Sequence, residues 1–290
     1  MNVIESKNKR PTNTNDKIVY IDGTEEIIAY GITEIKSVAY QNNTHIASVV
    51  LPETVTTIVD RAFQDCSNLK SITIPEGVTS IGNYVFARCR SLTSINIPES
   101  VTSIGNNAFK CCGSLTNIAI PKGVTEIGKH AFYECKKLIC ISIPDGVTSI
   151  GEGAFGGCTT LKSITIPKGV TSIENSTFVF CSSLTSITIP HGVTKIGSDA
   201  FSCCSSLTSI IIPEGVKSIG NYAFSCCISL TSITVPKSVT SIGKGAFDAC
   251  TSLKDIYFNG KKAKWDKLTK DVSFPENATI HFKGLFGYTK

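Results

Sequence analysis

Proline recurs at intervals of 23 residues through nine positions, Pro52, Pro75, Pro98, Pro121, Pro144, Pro167, Pro190, Pro213 and Pro236, without one slip of register. Phenylalanine keeps the same period from Phe63 to Phe247, cysteine from Cys66 to Cys250, and leucine from Leu69 to Leu253. A period of this length marks a stacked repeat, in which one unit cannot bury its apolar face alone and neighbours complete the core. Such a solenoid presents a long repetitive surface, so the period bears on function as well as on fold.

One unit runs from Leu184 through Ile187, Ile189, Pro190, Val193, Ile196, Gly197, Ala200 and Phe201 to Cys204. Ile187 and Ile189 are two apart and share one face of a strand, with Ser186 and Thr188 on the other. Pro190 ends that strand because it has no N–H for the next ladder bond, and Gly192 supplies a turn. Val193 to Ile196 reads as a second short extended piece, and Gly197 to Cys204 as a helical turn with Phe201 folded inward. Stacked about 4.8 Å apart, the coils form a right-handed, curved solenoid that is mainly β with short helical turns and contains a parallel sheet. About nine such coils would extend roughly 40–45 Å.

Terminal coils need caps, since their apolar ends would otherwise face water. Ile32, Ile35, Ala39 and Tyr40 fall 23 residues before Val55, Ile58, Ala62 and Phe63, so residues 17–45 read as a diverged N-terminal cap. The solenoid proper then covers 46–258. At its end Asn259 replaces the proline, and residues 259–290, with the single tryptophan Trp265 and the alternating run from Ala278 to Phe282, read as a C-terminal cap. Residues 1–16 form a flexible polar leader without the apolar core of a signal peptide.

The pattern Cys-x-x-Leu-x-x-Ile-x-Ile-Pro, followed by Val-x-x-Ile-Gly and Ala-Phe-x-x-Cys, resembles the BspA-like leucine-rich repeat proteins. The match spans about residues 46–258, and the segment from Tyr257 to Trp265 is similar to a terminus seen in that family. Departures are Val59 and Glu174 in the glycine column, and Val85 and Thr177 in the alanine column. The resemblance implies a leucine-rich-repeat solenoid, and a place among surface proteins of bacteria and some protists, some of which adhere to host matrix proteins or cells. It brings no site residues with it.

Thirteen cysteines invite a metal or disulfide reading. Nine belong to the repeat column, where small, weakly polar packing is the simpler account. The pairs Cys203-Cys204 and Cys226-Cys227 sit on adjacent coils, but consecutive residues point differently, which works against four sulfurs converging tetrahedrally on zinc. An outward Cys203–Cys226 disulfide stays open. His45, His130, His191 and His281 have no repeat-matched acid or nucleophile, and neither a phosphate loop nor a metalloprotease motif is present. No catalytic residue, cofactor or metal ligand is therefore assigned. Net charge is +5, and residues 251–290 hold eight lysines against four acids. This basic end is too small to argue for nucleic acid. No run approaches the ~18 apolar residues of a membrane span.

Outward strand positions are mostly serine and threonine, so departures mark where function could be written on the scaffold. Ala119, Ile139, Cys140 and Ile211 place apolar groups where sister units carry polar ones, and Tyr133 adds an aromatic on the coil of Ile139. Drift within degenerate repeats is the plainer account; a partner-contact patch around residues 117–142 is the functional one. The leading expectation is a non-enzymatic scaffold that binds a protein partner, an extracellular matrix or host surface protein included, at the cell surface. The alternative is an intracellular interaction scaffold with reduced thiols.

Overall fold

A computed structural model describes residues 16–270, 272–284 and 287–289, so residues 1–15 of the polar leader lie outside it. Each coil contributes two short extended segments, and each segment stacks on its counterpart 23 residues away. The first row precedes the proline and includes Ser71–Thr73, Asn117–Ala119, Cys140–Ser142, Ser209–Ile211, Ser232–Val235 and Asp255–Phe258. Its register is parallel, with Ser209 opposite Ser232 and Ile210 opposite Ile233. The second row consists of two-residue strands from Glu34–Ile35 to Ser241–Ile242, also parallel and in register. In both rows the isoleucines of the repeat columns turn inward, and Ile210, Ile233, Ile196 and Ile219 are all buried.

The expected helical turn between Gly197 and Cys204 is instead a run of successive tight turns, repeated in every coil. Backbone N–H groups alternate in direction along it. Ala62, Gln64 and Cys66 bond three residues back to Val59, Arg61 and Phe63, whereas Arg61, Phe63 and Asp65 bond to Asn83, Val85 and Ala87 of the next coil. A helix would keep all of these donors for itself; the solenoid needs half of them to tie coils together. The alternation requires left-handed backbone at two positions per coil. Arg61, Tyr84, Asn107, His130, Gly153, Ser176, Asp199, Tyr222 and Gly245 form one such column, with φ between 53° and 63°. The other runs from Asp65 through Arg88, Cys111, Glu134, Gly157, Phe180, Cys203 and Cys226 to Ala249.

Inside, the phenylalanines form a continuous stacked ladder. It starts at Tyr40, 5.2 Å from Phe63, and ends at Phe274, 5.3 Å from Phe247. The two caps thus each add a ring to the nine repeats, making eleven turns of chain. Beside the rings, the cysteine column is fully buried from Cys66 to Cys250. Each thiol donates to the carbonyl 26 residues back, as from Cys89 to Phe63 and from Cys158 to Phe132, both at 3.2 Å. The Phe132 carbonyl also accepts the N–H of Cys135, so the sulfur satisfies its second lone pair.

At the N-terminal end the first row closes differently from the second. Lys17–Tyr20 lies antiparallel on Ile46–Val50 and on Glu25–Ile27, while Glu34–Ile35 continues the parallel second row onto Thr57–Ile58. At the C-terminal end Thr279–Gly284 adds a parallel strand to Asp255–Phe258, followed by an antiparallel Gly287–Thr289. A helix, Lys262–Leu268, turns Trp265 inward against Phe258 and Phe274. Among the described residues no helix is long and apolar enough to cross a membrane.

Candidate functional site

The solenoid offers two kinds of surface: the outward side of the strand rows and the turn edge. On the first strand row the outward residues are small and polar, and their backbone is already used in ladder bonds, so only side chains can recognise a partner there. Ala119, Ile139, Cys140 and Ile211 are all exposed on it. Asn117–Ala119 pairs with Cys140–Ser142, which sets Cys140 opposite Asn117 and Ala119 opposite Ser142. The Ile139 N–H donates to the Thr116 carbonyl, so Ala119, Ile139 and Cys140 lie on two adjacent coils with Ala119 displaced along the strand from the other two. Ile139 is 49% exposed.

Two of the five candidates stand apart. Ile211, 70% exposed, lies four coils from Ala119, about 19 Å at strand spacing. Tyr133 faces the turn edge, because the buried Cys135 and Leu138 intervene before the chain reaches Ile139. Its ring sits edge-on to His130 at 5.3 Å, with the Lys110 ammonium 5.4 Å above it. Six residues of separation within one coil thus carry the chain from the turn edge to the strand row.

Burial controls the chemistry of the thiols. It pushes Cys66, Cys158 and Cys250 up to about 12, and raises Cys89, Cys112, Cys135 and Cys181 well above the ordinary thiol value. These sulfurs are poor nucleophiles and poor metal ligands as they stand. Cys204 and Cys227 belong to this inward column and donate to Phe178 and Phe201. Cys203 and Cys226 lie one residue earlier, half-buried on the turn edge and free, each accepting a hydrogen bond from the hydroxyl of the preceding serine, Ser202 at 3.9 Å and Ser225 at 3.7 Å. The four sulfurs of the two pairs therefore diverge into two sets. Among the described residues no group of three or more histidine, cysteine, aspartate or glutamate side chains is arranged to hold a metal ion.

Several off-pattern residues gather at one level of the stack. In the coil of residues 151–157, three outward turn positions are all glycine: Gly153, Gly156 and Gly157. A β-carbon on Gly153 would stand 2.5 Å from the His130 ring, and one on Gly156 would stand 2.9 Å from the Tyr133 ring. The missing side chains let both rings lie across this coil. On the far side stands Phe180, 52% exposed, at a left-handed position. Sequence reasoning had passed over Phe180, although its column otherwise holds polar or small residues. One coil on, Glu174 occupies a column of glycines whose added β-carbons would strike the preceding coil at 2.4–2.7 Å. There the second strand row is interrupted, Ser149–Ile150 ending one sheet and Ser172–Ile173 beginning the next.

Comparison with known proteins agrees with this architecture. The family described as the BspA type leucine rich repeat region matches residues 33–162 and 148–272, in six copies. The chain is similar to a leucine rich cell surface protein of Faecalibacterium prausnitzii, at 32% identity over 84% of this chain and 81% of that one, with a TM-score of 0.56. A leucine-rich repeat protein of Eubacterium ventriosum shares the fold at 22% identity, with 95% and 98% of the chains covered and a TM-score of 0.56. No curated protein matches the chain. With its repeat unit, its stacked coils and its family match in accord, the chain belongs to the BspA-type leucine-rich repeat family.

Proposed function

We propose that this chain is a non-enzymatic scaffold that binds a protein partner at the cell surface through the outward side of its first strand row. The observation that carries the reading is the exposed apolar set on that row. Ile139 stands in a column otherwise held by threonine and lysine from Lys70 to Lys254, Ile211 in one held mostly by threonine with Asn96, Ala119 and Ser142, and neither contributes to the core. A large apolar side chain held in water on a rigid ladder is a ready anchor for an interface. The similarity to a cell surface protein supports the location. The second reading, an intracellular scaffold, draws on thirteen free thiols, which suit a reducing compartment.

The test is binding of the purified chain to live epithelial cells and to an immobilised basement-membrane extract. Saturable binding at micromolar concentration or better is expected, abolished by prior trypsin treatment of the target. Ile139→Glu and Ile211→Glu should each weaken it at least tenfold. Absence of saturable binding, or binding by both variants as tight as that of the parent, rejects the reading. Labelling of intact source cells with an impermeant amine reagent separates the two locations, since an intracellular chain would stay unlabelled.

A further inference from the structure

The turn edge carries a second surface, distinct from the strand row. Phe180 is the key residue. Its column demands left-handed backbone, for which a bulky aromatic is poorly suited, and its ring does not enter the core. Neither backbone conformation nor packing accounts for a phenylalanine there, and a strained exposed residue is reason to look for a role. Together with His130, Tyr133, Lys110, Ser176 and Asp199 it lines a cavity of about 450 Å³. That volume falls within the ~300–1,000 Å³ of small-ligand sites.

The lining has two parts. Tyr133 and Phe180 supply aromatic rings from either side of the glycine coil, with His130 beside Tyr133. The polar groups are unspent: among the described residues, the side chains of His130, Ser176 and Asp199 form no hydrogen bond or ion pair within the protein. Burial raises the Asp199 carboxyl and, with Lys110 adding to it, lowers His130, so the imidazole is neutral at neutral pH and can both donate and accept.

We propose that this notch is a saccharide-binding site, taking one or two sugar rings against Phe180 and Tyr133 with their hydroxyls on Asp199, His130 and Ser176. A sugar ring combines an apolar C–H face with a rim of hydroxyls that both donate and accept, which matches aromatic surfaces set among unpaired polar groups. An aliphatic peptide anchor would leave Asp199 and Ser176 without partners, and the Asp199 carboxylate disfavours an anion. The site owes its width to Gly153 and Gly156, since side chains there would displace His130 and Tyr133.

The experiment is saturation-transfer NMR titration of the full chain with methyl β-D-galactopyranoside, methyl α-D-mannopyranoside, N-acetyl-D-glucosamine and cellobiose. At least one should bind saturably, at roughly millimolar Kd for so small a ligand. Phe180→Ala and Asp199→Asn, both outside the core and checked by circular dichroism, should each weaken it at least tenfold. Ile211→Ser on the strand row should leave it unchanged. The proposal is overturned if none of the four saturates, or if Phe180→Ala and Asp199→Asn bind as the parent does. Saturable binding of N-acetyltryptophanamide without any saccharide response would assign the notch to peptide side chains and also overturn it.

Discussion

At the scale of single residues, cysteine is the most informative type in this chain. Its column reads from the sequence as small apolar packing, and burial bears that out. What the sequence does not show is the partner of each thiol, an aromatic residue's carbonyl one coil back, Tyr40 for Cys66 and a phenylalanine for the rest, as from Cys135 to Phe109. That bond explains a weak donor where alanine would fill the space. It also makes a pH prediction. Burial raises these thiols, Cys66, Cys158 and Cys250 to about 12, so the folded state holds protons that the unfolded state loses from about pH 9 upward. The associated stability is fully present below pH 9 and is lost as pH rises towards 12, by up to about 1.4 kcal/mol per pH unit for each thiol. Thermal melts from pH 7 to 11 should show a Tm that is flat to about 9 and then falls steeply. A Tm independent of pH to 11 would contradict the buried, protonated column. Iodoacetamide at pH 8 should reach only Cys140 and, more slowly, the half-buried Cys111, Cys203 and Cys226.

Elements in this fold are too short to have a stability of their own. A two-residue strand such as Lys195–Ile196 exists because Ser172–Ile173 and Ser218–Ile219 flank it. The local pattern gives the strands, since Ile-x-Ile before proline is explicit, but reads the run of tight turns as a helical turn. The spacing of Ala200, Phe201 and Cys204 suits either, and only the alternation of bonds between coils decides. The glycine column makes a further point at this scale. A β-carbon on Gly128 would lie 2.5 Å from the Gly105 carbonyl carbon, in backbone that cannot move aside. Gly128→Ala should therefore cost about 2–3 kcal/mol, among the larger effects of single substitutions. At Glu174 the ladder is already open, and Glu174→Ala should cost less than about 1 kcal/mol, as an exposed change does. Urea unfolding of both variants checks the contrast; equal losses would refute the steric account.

Across the whole molecule, each coil meets only its neighbours, and the phenylalanine ladder has the same step throughout. Stability in such a stack is close to a sum of coil and interface terms. Excising residues 186–208 removes one period and joins Thr185 to Ser209 in register. The shortened chain should fold, with a single cooperative transition and a Tm lowered by no more than several degrees. Excising 186–197, half a period, should abolish cooperative unfolding because it brings unlike columns into contact. Circular dichroism melts distinguish the two, and a folded half-period deletion would argue against register as the organising constraint.

The repeat alone determined the architecture: the columns of proline, phenylalanine, cysteine and leucine specify which face each residue takes, because stacking places every residue on its own counterpart. It also set Ala119 opposite Ser142 and Cys140 opposite Asn117, since adjacent coils bring positions 23 apart together. The tertiary structure decided what depends on the path around a coil. It put Tyr133 on the turn edge and not beside Ile139, and brought Phe180 into one cavity with Tyr133 across a glycine coil. Those relations follow from left-handed turn residues and from side chains leaning into space that glycines leave open, neither of which a linear period encodes.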